Sequence, residues 1–192
     1  MEPLTRQVDL FEPPLEPPGL RFEPRLLDDA QQAQVVRILS DLSFAPFEFH
    51  GWLGARRVVS FGGRYDFGRG RLEDAPPLPV ALEPLRETAA GFGGMEPDEI
   101  AQTLVTEYAP GAGIGWHRDR PQYGRVVGVS FLAPCTMRFR QKDGATWRRR
   151  SLDLPPGSAY LLDGPARWEW EHSITPMSQL RYSLTFRTLR NG

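Results

Sequence analysis

Arg181-Tyr182-Ser183-Leu184-Thr185-Phe186-Arg187 is the run from which the rest of the chain can be read. With a period of two, Tyr182, Leu184 and Phe186 share one face, and Arg181, Ser183, Thr185 and Arg187 share the other. The apolar face has to pack on a core. The polar face has two readings. Either the strand lies at the surface with its arginines in water, or the polar face lines the interior of a barrel. An unpaired buried arginine costs several kcal/mol. Two inward arginines therefore require an anionic ligand. Guanidinium matches carboxylate with two parallel hydrogen bonds, so a dicarboxylate satisfies both arginines, one at each end.

Working back from this run, residues 101–189 break into short β-rich stretches separated by turn signals: TLVTEYAPGAG, IGWHRDRPQYG, RVVGVSFLAP, TMRFRQKDG, ATWRRRSLDLPPG, SAYLLDGP, ARWEWEHSI and LRYSLTFRTL. Eight runs at roughly 8–12-residue spacing predict a β-sandwich or jelly roll. The N-terminal half reads differently. A helix is predicted from a cap at Asp28 or Asp29 through Asp41, with Leu27, Val35, Ile38, Leu39 and Leu42 at helical spacing. A short strand is expected at Arg57–Phe61 and a second helix at Pro79–Gly91. The fold class is thus an all-β core with an α+β N-terminal extension. Residues 1–24, with six prolines and five acids, form a tail that is extended or disordered until docked, and residues 25–192 form one domain.

Composition narrows the function classes. The chain has 192 residues, enough for one domain with a sizeable core. No stretch approaches the ~18 consecutive apolar residues of a membrane span. The N-terminus lacks a basic start followed by an apolar run, so no secretory signal is read there. Cys135 is the sole cysteine, which rules out an intrachain disulfide and fits a reducing, cytoplasmic setting. Net charge is −1, unevenly spread. Residues 1–100 hold 10 basic residues against 17 acids, and residues 101–192 hold 13 against 7. The C-terminal half is therefore the one suited to an anionic partner. With no heptad pattern, a monomer is expected.

Of three histidines, His117 stands two residues before Asp119, and His172 lies in a later strand-like run. On a strand, residues i and i+2 point the same way, so His117 and Asp119 can converge on one ion with His172 as a third ligand. Two imidazoles and a carboxylate make the facial triad of non-haem Fe(II), which leaves positions open for a co-substrate and O2. Alone, His-x-Asp also fits a plain surface turn. Glu169 and Glu171 are alternative carboxylates that fit the facial arrangement less well than Asp119.

Taken in order, E-Y-A-P-G-A-G-I-G-W-H-R-D, G-V-S-F-L, G-P-A-R-W-E-W-E-H and R-Y-S-L-T-F-R resemble the AlkB family of Fe(II)/2-oxoglutarate-dependent dioxygenases. The resemblance runs from about Tyr108 to Arg187 and more weakly back to about Arg56. It implies a double-stranded β-helix, iron held by His117, Asp119 and His172, and O2 and 2-oxoglutarate as co-substrates. It also implies that Arg181, helped by Tyr108, grips the distal carboxylate and that Arg187 sits near the carboxylate beside the keto group. Thr106 and Ser183 stand where well-studied bacterial members carry asparagine, and both keep a hydroxyl for the co-substrate. Pro121 replaces an acidic residue that would contact the base. Arg167 matches a motif arginine and is expected to be structural.

For such a family the substrate is an alkylated nucleic-acid base, DNA or RNA, and oxidative demethylation releases succinate, CO2 and formaldehyde. Residues 44–71 match the substrate-recognition lid. Phe61, Tyr65 and Phe67 are its candidate stacking residues, Arg56, Arg57, Arg64, Arg69 and Arg71 its candidate phosphate contacts. Trp116, beside His117, is a further substrate candidate, although packing also explains it. Trp116, Trp168 and Trp170 alternate as strand residues do. Arg148-Arg149-Arg150 and His50 are weaker candidates, and Cys135 reads as a small buried hydrophobe. The competing readings are an oxygenase of a protein side chain or small molecule, a binding module with a dead metal site, and a cupin-like metal protein. The dead-site module conflicts with five intact key residues, and the cupin has no need of two inward arginines.

Overall fold

A computed structural model describes residues 17–49, 52–66 and 69–190, without the side chains of Glu48, Phe49, Trp52, Leu53, Arg64, Tyr65 and Leu72. Thirteen strands run in chain order: β1 (Leu20–Glu23), β2 (Ala45–Phe49), β3 (Trp52–Phe61), β4 (Gly63–Asp66), β5 (Arg71–Asp74), β6 (Ile100–Tyr108), β7 (Ile114–His117), β8 (Tyr123–Leu132), β9 (Cys135–Asp143), β10 (Thr146–Leu154), β11 (Ala159–Leu162), β12 (Glu171–Ile174) and β13 (Arg181–Leu189). Helices are α1 (Asp29–Ser40), α2 (Glu83–Gly93) and α3 (Gly164–Trp168). A seven-stranded sheet has the order β1-β11-β8-β13-β6-β3-β2, a four-stranded sheet the order β10-β9-β12-β7, and β4-β5 is a separate hairpin. Each of the eight C-terminal runs contains a strand, and the architecture is the expected jelly roll.

The layers follow from side-chain alternation on β13. Tyr182, Leu184 and Phe186 join Val105, Val127, Val129 and Phe131 on the outer face of the large sheet, beneath Leu39 of α1 and Leu85 and Ala89 of α2. The other face looks toward the small sheet. There Val126, Tyr160 and Leu162 meet Met137, Phe139 and Trp170 at one end of the sandwich. Between these packed regions the polar positions of β13 face an open cleft.

Local chemistry explains the N-terminal elements. Asp28 Oδ1 accepts from Gln31 N at 2.8 Å and Gln31 Oε1 accepts from Asp28 N at 2.9 Å. This reciprocal box satisfies two donors at the start of α1 and contributes about 1 kcal/mol. Helix α2 ends on Gly94, whose φ of 64° suits the left-handed cap.

Three expectations need correction. The tail does not extend to residue 24: Leu20–Glu23 is an edge strand paired with β11, and Leu20 is buried. The run ARWEWEHSI is not all strand, because Pro165 starts a turn of helix that carries Arg167 and Trp168, and Asp163 caps it. Trp168 therefore does not alternate with Trp170 along a strand. Phe61 is buried in the helix-side core at 7% exposure, so it cannot stack a substrate base. A regular apolar alternation at the end of β3 overrode the aromatic-lid reading.

Phe186 is fully buried between the large sheet and the helices. Phe186→Ala is expected to cost about 3–5 kcal/mol, read as a lower midpoint in urea unfolding with an unchanged slope.

Candidate active site

β7 and β12 pair so that His172 lies directly opposite His117. That register brings residues distant in sequence to a ring-centroid separation of 4.3 Å. β7 ends at His117, so Asp119 is not on the strand as the i, i+2 argument supposed; it stands in the loop that follows. What holds the loop is Arg167. Buried at 2% exposure, it donates to the carbonyls of Gly124 (2.8 Å), Asp119 (3.3 Å), Arg120 (2.6 Å) and Tyr123 (2.7 Å). Asp119 Oδ2 then lies 3.9 Å from His172 Nε2, and Asp119 Oδ1 accepts from Arg187 Nη2 at 2.9 Å.

The electrostatics leave three side chains able to hold a metal. Burial, then the neighbouring His117, pushes the His172 imidazolium down to about 3. Burial likewise lowers His117, whose Nδ1 lies 2.9 Å from Gly115 O. That bond assigns the Nδ1 proton and leaves Nε2 with its lone pair. Burial would raise Asp119, but Arg187 and the two imidazoles outweigh it and hold the carboxyl well below its ordinary value. Two neutral imidazoles and one carboxylate fit a divalent metal of intermediate hardness. Among the described residues no three such side chains are already closed to metal-bonding spacing; Asp119 is instead turned toward Arg187.

The large-sheet face supplies the second cluster. On β13, Arg181 lies opposite Tyr108 of β6 and Leu132 of β8, Ser183 opposite Thr106 and Ser130, and Arg187 opposite Gln102 and Val126. Arg181 has no solvent exposure, donates Nη2 to Ser130 Oγ at 2.7 Å and stands 5.1 Å from the Tyr108 ring centroid. Its Nε and Nη1, and Arg187 Nε, are buried without hydrogen-bond acceptors. Buried donors left unpaired are rare, and these three fit carboxylate oxygens. A cleft of about 1840 Å³ joins Tyr108, Thr106, Ser183 and Arg187 to His117, Asp119 and His172.

The remaining predicted residues are scattered. Trp116 is half-buried at the rim of the cleft, with the guanidiniums of Arg138 and Arg140 at 5.1 and 4.5 Å from its ring. Arg69 is exposed at the β4-β5 turn, its Nη1 2.9 Å from Glu73 Oε1. Arg57 faces away from the cleft and makes two bonds to Glu107 at 2.7 and 2.9 Å. The side chains of Tyr65 and Arg64, and residues His50 and Phe67, lie outside the described residues. Glu171 is taken by Arg140 at 2.6 Å and Glu169 by Gln141 at 2.7 Å, whereas Asp119 is the alternative whose carboxylate lies beside His172. Cys135 is half-buried against two apolar clusters.

Two residues escaped the sequence reading. Gln102 Oε1 accepts from Arg187 Nη1 at 3.1 Å while its Nε2 donates to Ser60 Oγ at 2.9 Å, so it fixes the Arg187 fork. Counting back by twos from Tyr108 reaches it. Tyr160 lies over Gly128, where a Cβ would come within 2.2 Å of the ring; a glycine in mid-strand was the available signal.

Residues 23–187 match the profile of the 2OG-Fe(II) oxygenase superfamily. The chain is 26% identical to the Arabidopsis thaliana "Alkylated DNA repair protein ALKBH8 homolog" over 96% of its own length and 62% of the relative's. It is 29% identical to the Escherichia coli "Alpha-ketoglutarate-dependent dioxygenase AlkB" over 58% of the chain and 56% of that protein. The structure of OsALKBH1 superposes with a TM-score of 0.68 at 16% identity, covering 89% of this chain and 97% of that one. The chain thus spans less than two thirds of the two curated relatives. It belongs to the 2OG-Fe(II) oxygenase superfamily and, within it, to the AlkB family of Fe(II)/2-oxoglutarate-dependent dioxygenases. Fe(II), 2-oxoglutarate and O2 are the cofactor and co-substrates this membership brings.

The lowered imidazoles have a measurable consequence. An ordinary pair of histidines, with pKa about 6.5, would release about 1.5 protons on metal binding at pH 6. Here fewer than one is expected, read by titration calorimetry with Mn(II) in two buffers of different ionisation enthalpy. The same shifts make the unfolded chain bind protons that the folded chain does not. Stability of the metal-free protein is therefore expected to fall as pH drops from about 6.5 toward 3.

Proposed function

We propose that this chain is an oxidative demethylase of N-alkylated nucleic-acid bases. One observation carries the reading: His117, Asp119 and His172 line the same cleft as the buried Arg187, whose Nε–H is unpaired, and as Tyr108, against whose ring Arg181 is buried with two unpaired nitrogens. The cleft exceeds the space 2-oxoglutarate needs and leaves room for a base. The names of the curated relatives, an alkylated-DNA repair homologue and AlkB, point to nucleic acid as the substrate class.

In this reading His117, Asp119 and His172 hold Fe(II). Arg181, with the Tyr108 hydroxyl, takes the distal carboxylate of 2-oxoglutarate, and Arg187 faces the carboxylate beside the keto group. Thr106 and Ser183, buried and paired across β6 and β13, offer hydroxyls to the co-substrate. The bound metal and co-substrates supply hydroxylation of a C–H bond, one oxygen atom entering the methyl group and the other entering succinate as CO2 leaves. The resulting N–CH2OH breaks its C–N bond, the nitrogen keeps a hydrogen, and formaldehyde departs.

The protein's part is placement. Arg167 sets the Asp119 loop, Gln102 sets Arg187, and Arg187 aligns the Asp119 carboxylate. Trp116, with Asp66 and Asp74 of the β4-β5 hairpin, lines the part of the cleft offered to a base.

Succinate release with Fe(II), ascorbate and a panel of methylated oligonucleotides tests the proposal. Stimulation by at least one methylated oligonucleotide, with formaldehyde in equal amount, is the expected result. Turnover that no oligonucleotide stimulates would transfer the activity to a protein or small-molecule substrate. Arg181→Met should raise KM for 2-oxoglutarate about 10–100-fold, the loss expected for one charge-assisted hydrogen-bonding partner.

A further inference from the structure

Strand β3 sends two adjacent arginines to opposite faces. Arg57 on the outside is matched by Glu107. Arg56 on the inside lines the cleft with Tyr108, His117 and Asp119. Its guanidinium lies 3.8 Å from the centre of the Phe47 ring, and no hydrogen bond or ion pair engages it among the described residues. An aromatic face attracts the cation but accepts none of its in-plane N–H groups. Burial lowers its pKa, and Tyr108, Arg187 and Asp119 act on its charge. Arg56 thus presents unpaired donors beside the metal-donor set.

The rest of the cleft does not offset that charge. Its described lining carries five arginines, Arg56, Arg118, Arg120, Arg167 and Arg187, against three aspartates, Asp66, Asp74 and Asp119. Fe(II) and the 2-oxoglutarate dianion cancel each other formally, so loading the site leaves the excess in place. Two residues beyond Asp119, where a carboxylate would favour a cation, the chain has Pro121, which also lines the cleft. In a site of reduced dielectric, such a field penalises a cationic guest and favours a neutral or anionic one.

We propose, on the demethylase reading above, that Arg56 selects neutral, carbonyl-bearing N-alkylated bases over cationic ones. An imide such as 3-methyluracil places a carbonyl on each side of its N-methyl group, and a guanidinium N–H can donate to either. 3-Methylcytosine and 1-methyladenine carry a positive charge on the ring and meet repulsion. A backbone phosphate is the other acceptor that could reach Arg56, and free nucleosides, which lack it, separate the two.

The test compares formaldehyde release from 3-methyluridine and 3-methylcytidine, as nucleosides and within one oligonucleotide, for the wild type, Arg56→Met and Arg56→Lys. The wild type should favour the neutral base by about tenfold in kcat/KM or more. Arg56→Met should erase that preference on nucleoside and oligonucleotide alike. Arg56→Lys should keep the bias against the cation but bind 3-methyluridine more weakly. A damaged fold would lower both substrates together and leave their ratio unmoved. Saturation-transfer NMR of 3-methyluridine on the metal-free protein gives a readout independent of turnover, and its signal should weaken in Arg56→Met.

A wild-type preference for 3-methylcytidine overturns the inference and leaves the demethylase reading standing. So does a ratio that Arg56→Met leaves unmoved, a loss confined to oligonucleotides, which would make Arg56 a phosphate contact, or a raised KM for 2-oxoglutarate, which would make it a co-substrate residue. If no methylated base is turned over, the demethylase reading itself falls.

Discussion

Arg187 and Asp119 hold each other at 2.9 Å in the wall of the cleft, and much of the site is arranged around that contact. The arginine belongs to the large sheet and the aspartate to a loop after the small sheet, so the pair spans the two layers. Each partner alone would be an expensive buried charge. Together they keep Asp119 ionised, and Gln102 and Arg167 add the geometry. Gln102 engages one prong of the Arg187 fork, while Arg167 takes up carbonyls along the loop that carries the carboxylate.

The layers can carry so much polarity because β13 separates it from the packing. Tyr182, Leu184 and Phe186 bind the sheet to α1 and α2 and stabilise the fold without entering the site. The inner face is then free to hold arginines and hydroxyls that a compact core would exclude. Arg181 shows the extreme case: it is fully buried, donates to Ser130 and keeps two further nitrogens without an acceptor. A site with donors unpaired in the protein alone is prepared for a carboxylate, in keeping with the superfamily to which the chain belongs.

Under the proposed function Arg56 extends the same logic toward the substrate, with Arg181 and Arg187 answering to a dicarboxylate and Asp119 to the metal and Arg187. Among the described residues, Arg56 has an aromatic ring, Phe47, beneath it and no hydrogen-bond acceptor. On the proposed function, its place in the cleft beside Tyr108 and His117 would let the site read the charge of a base.

Periodicity made a large part of this visible beforehand. The two faces of β13 and the capped helix ending near Asp41 follow from spacing and residue chemistry, because strand alternation and helix capping are local and depend on near neighbours. The failures share one cause. Phe61 looked like a lid aromatic, Trp168 like a strand residue and residues 20–23 like a tail, because nothing nearby in the chain reveals which layer will cover a side chain or which edge will recruit a strand. The strand assumed by the i, i+2 argument also ends two residues before Asp119, and an arginine far along the chain holds the loop instead. Residue types and their order determined that imidazole, carboxylate and guanidinium were present at usable intervals. Only the tertiary structure decided that His172 meets His117, that Gln102 steadies Arg187 and that Arg56 rather than Arg57 faces inward. Those outcomes depend on cross-strand register and sheet stacking, which join residues tens of positions apart.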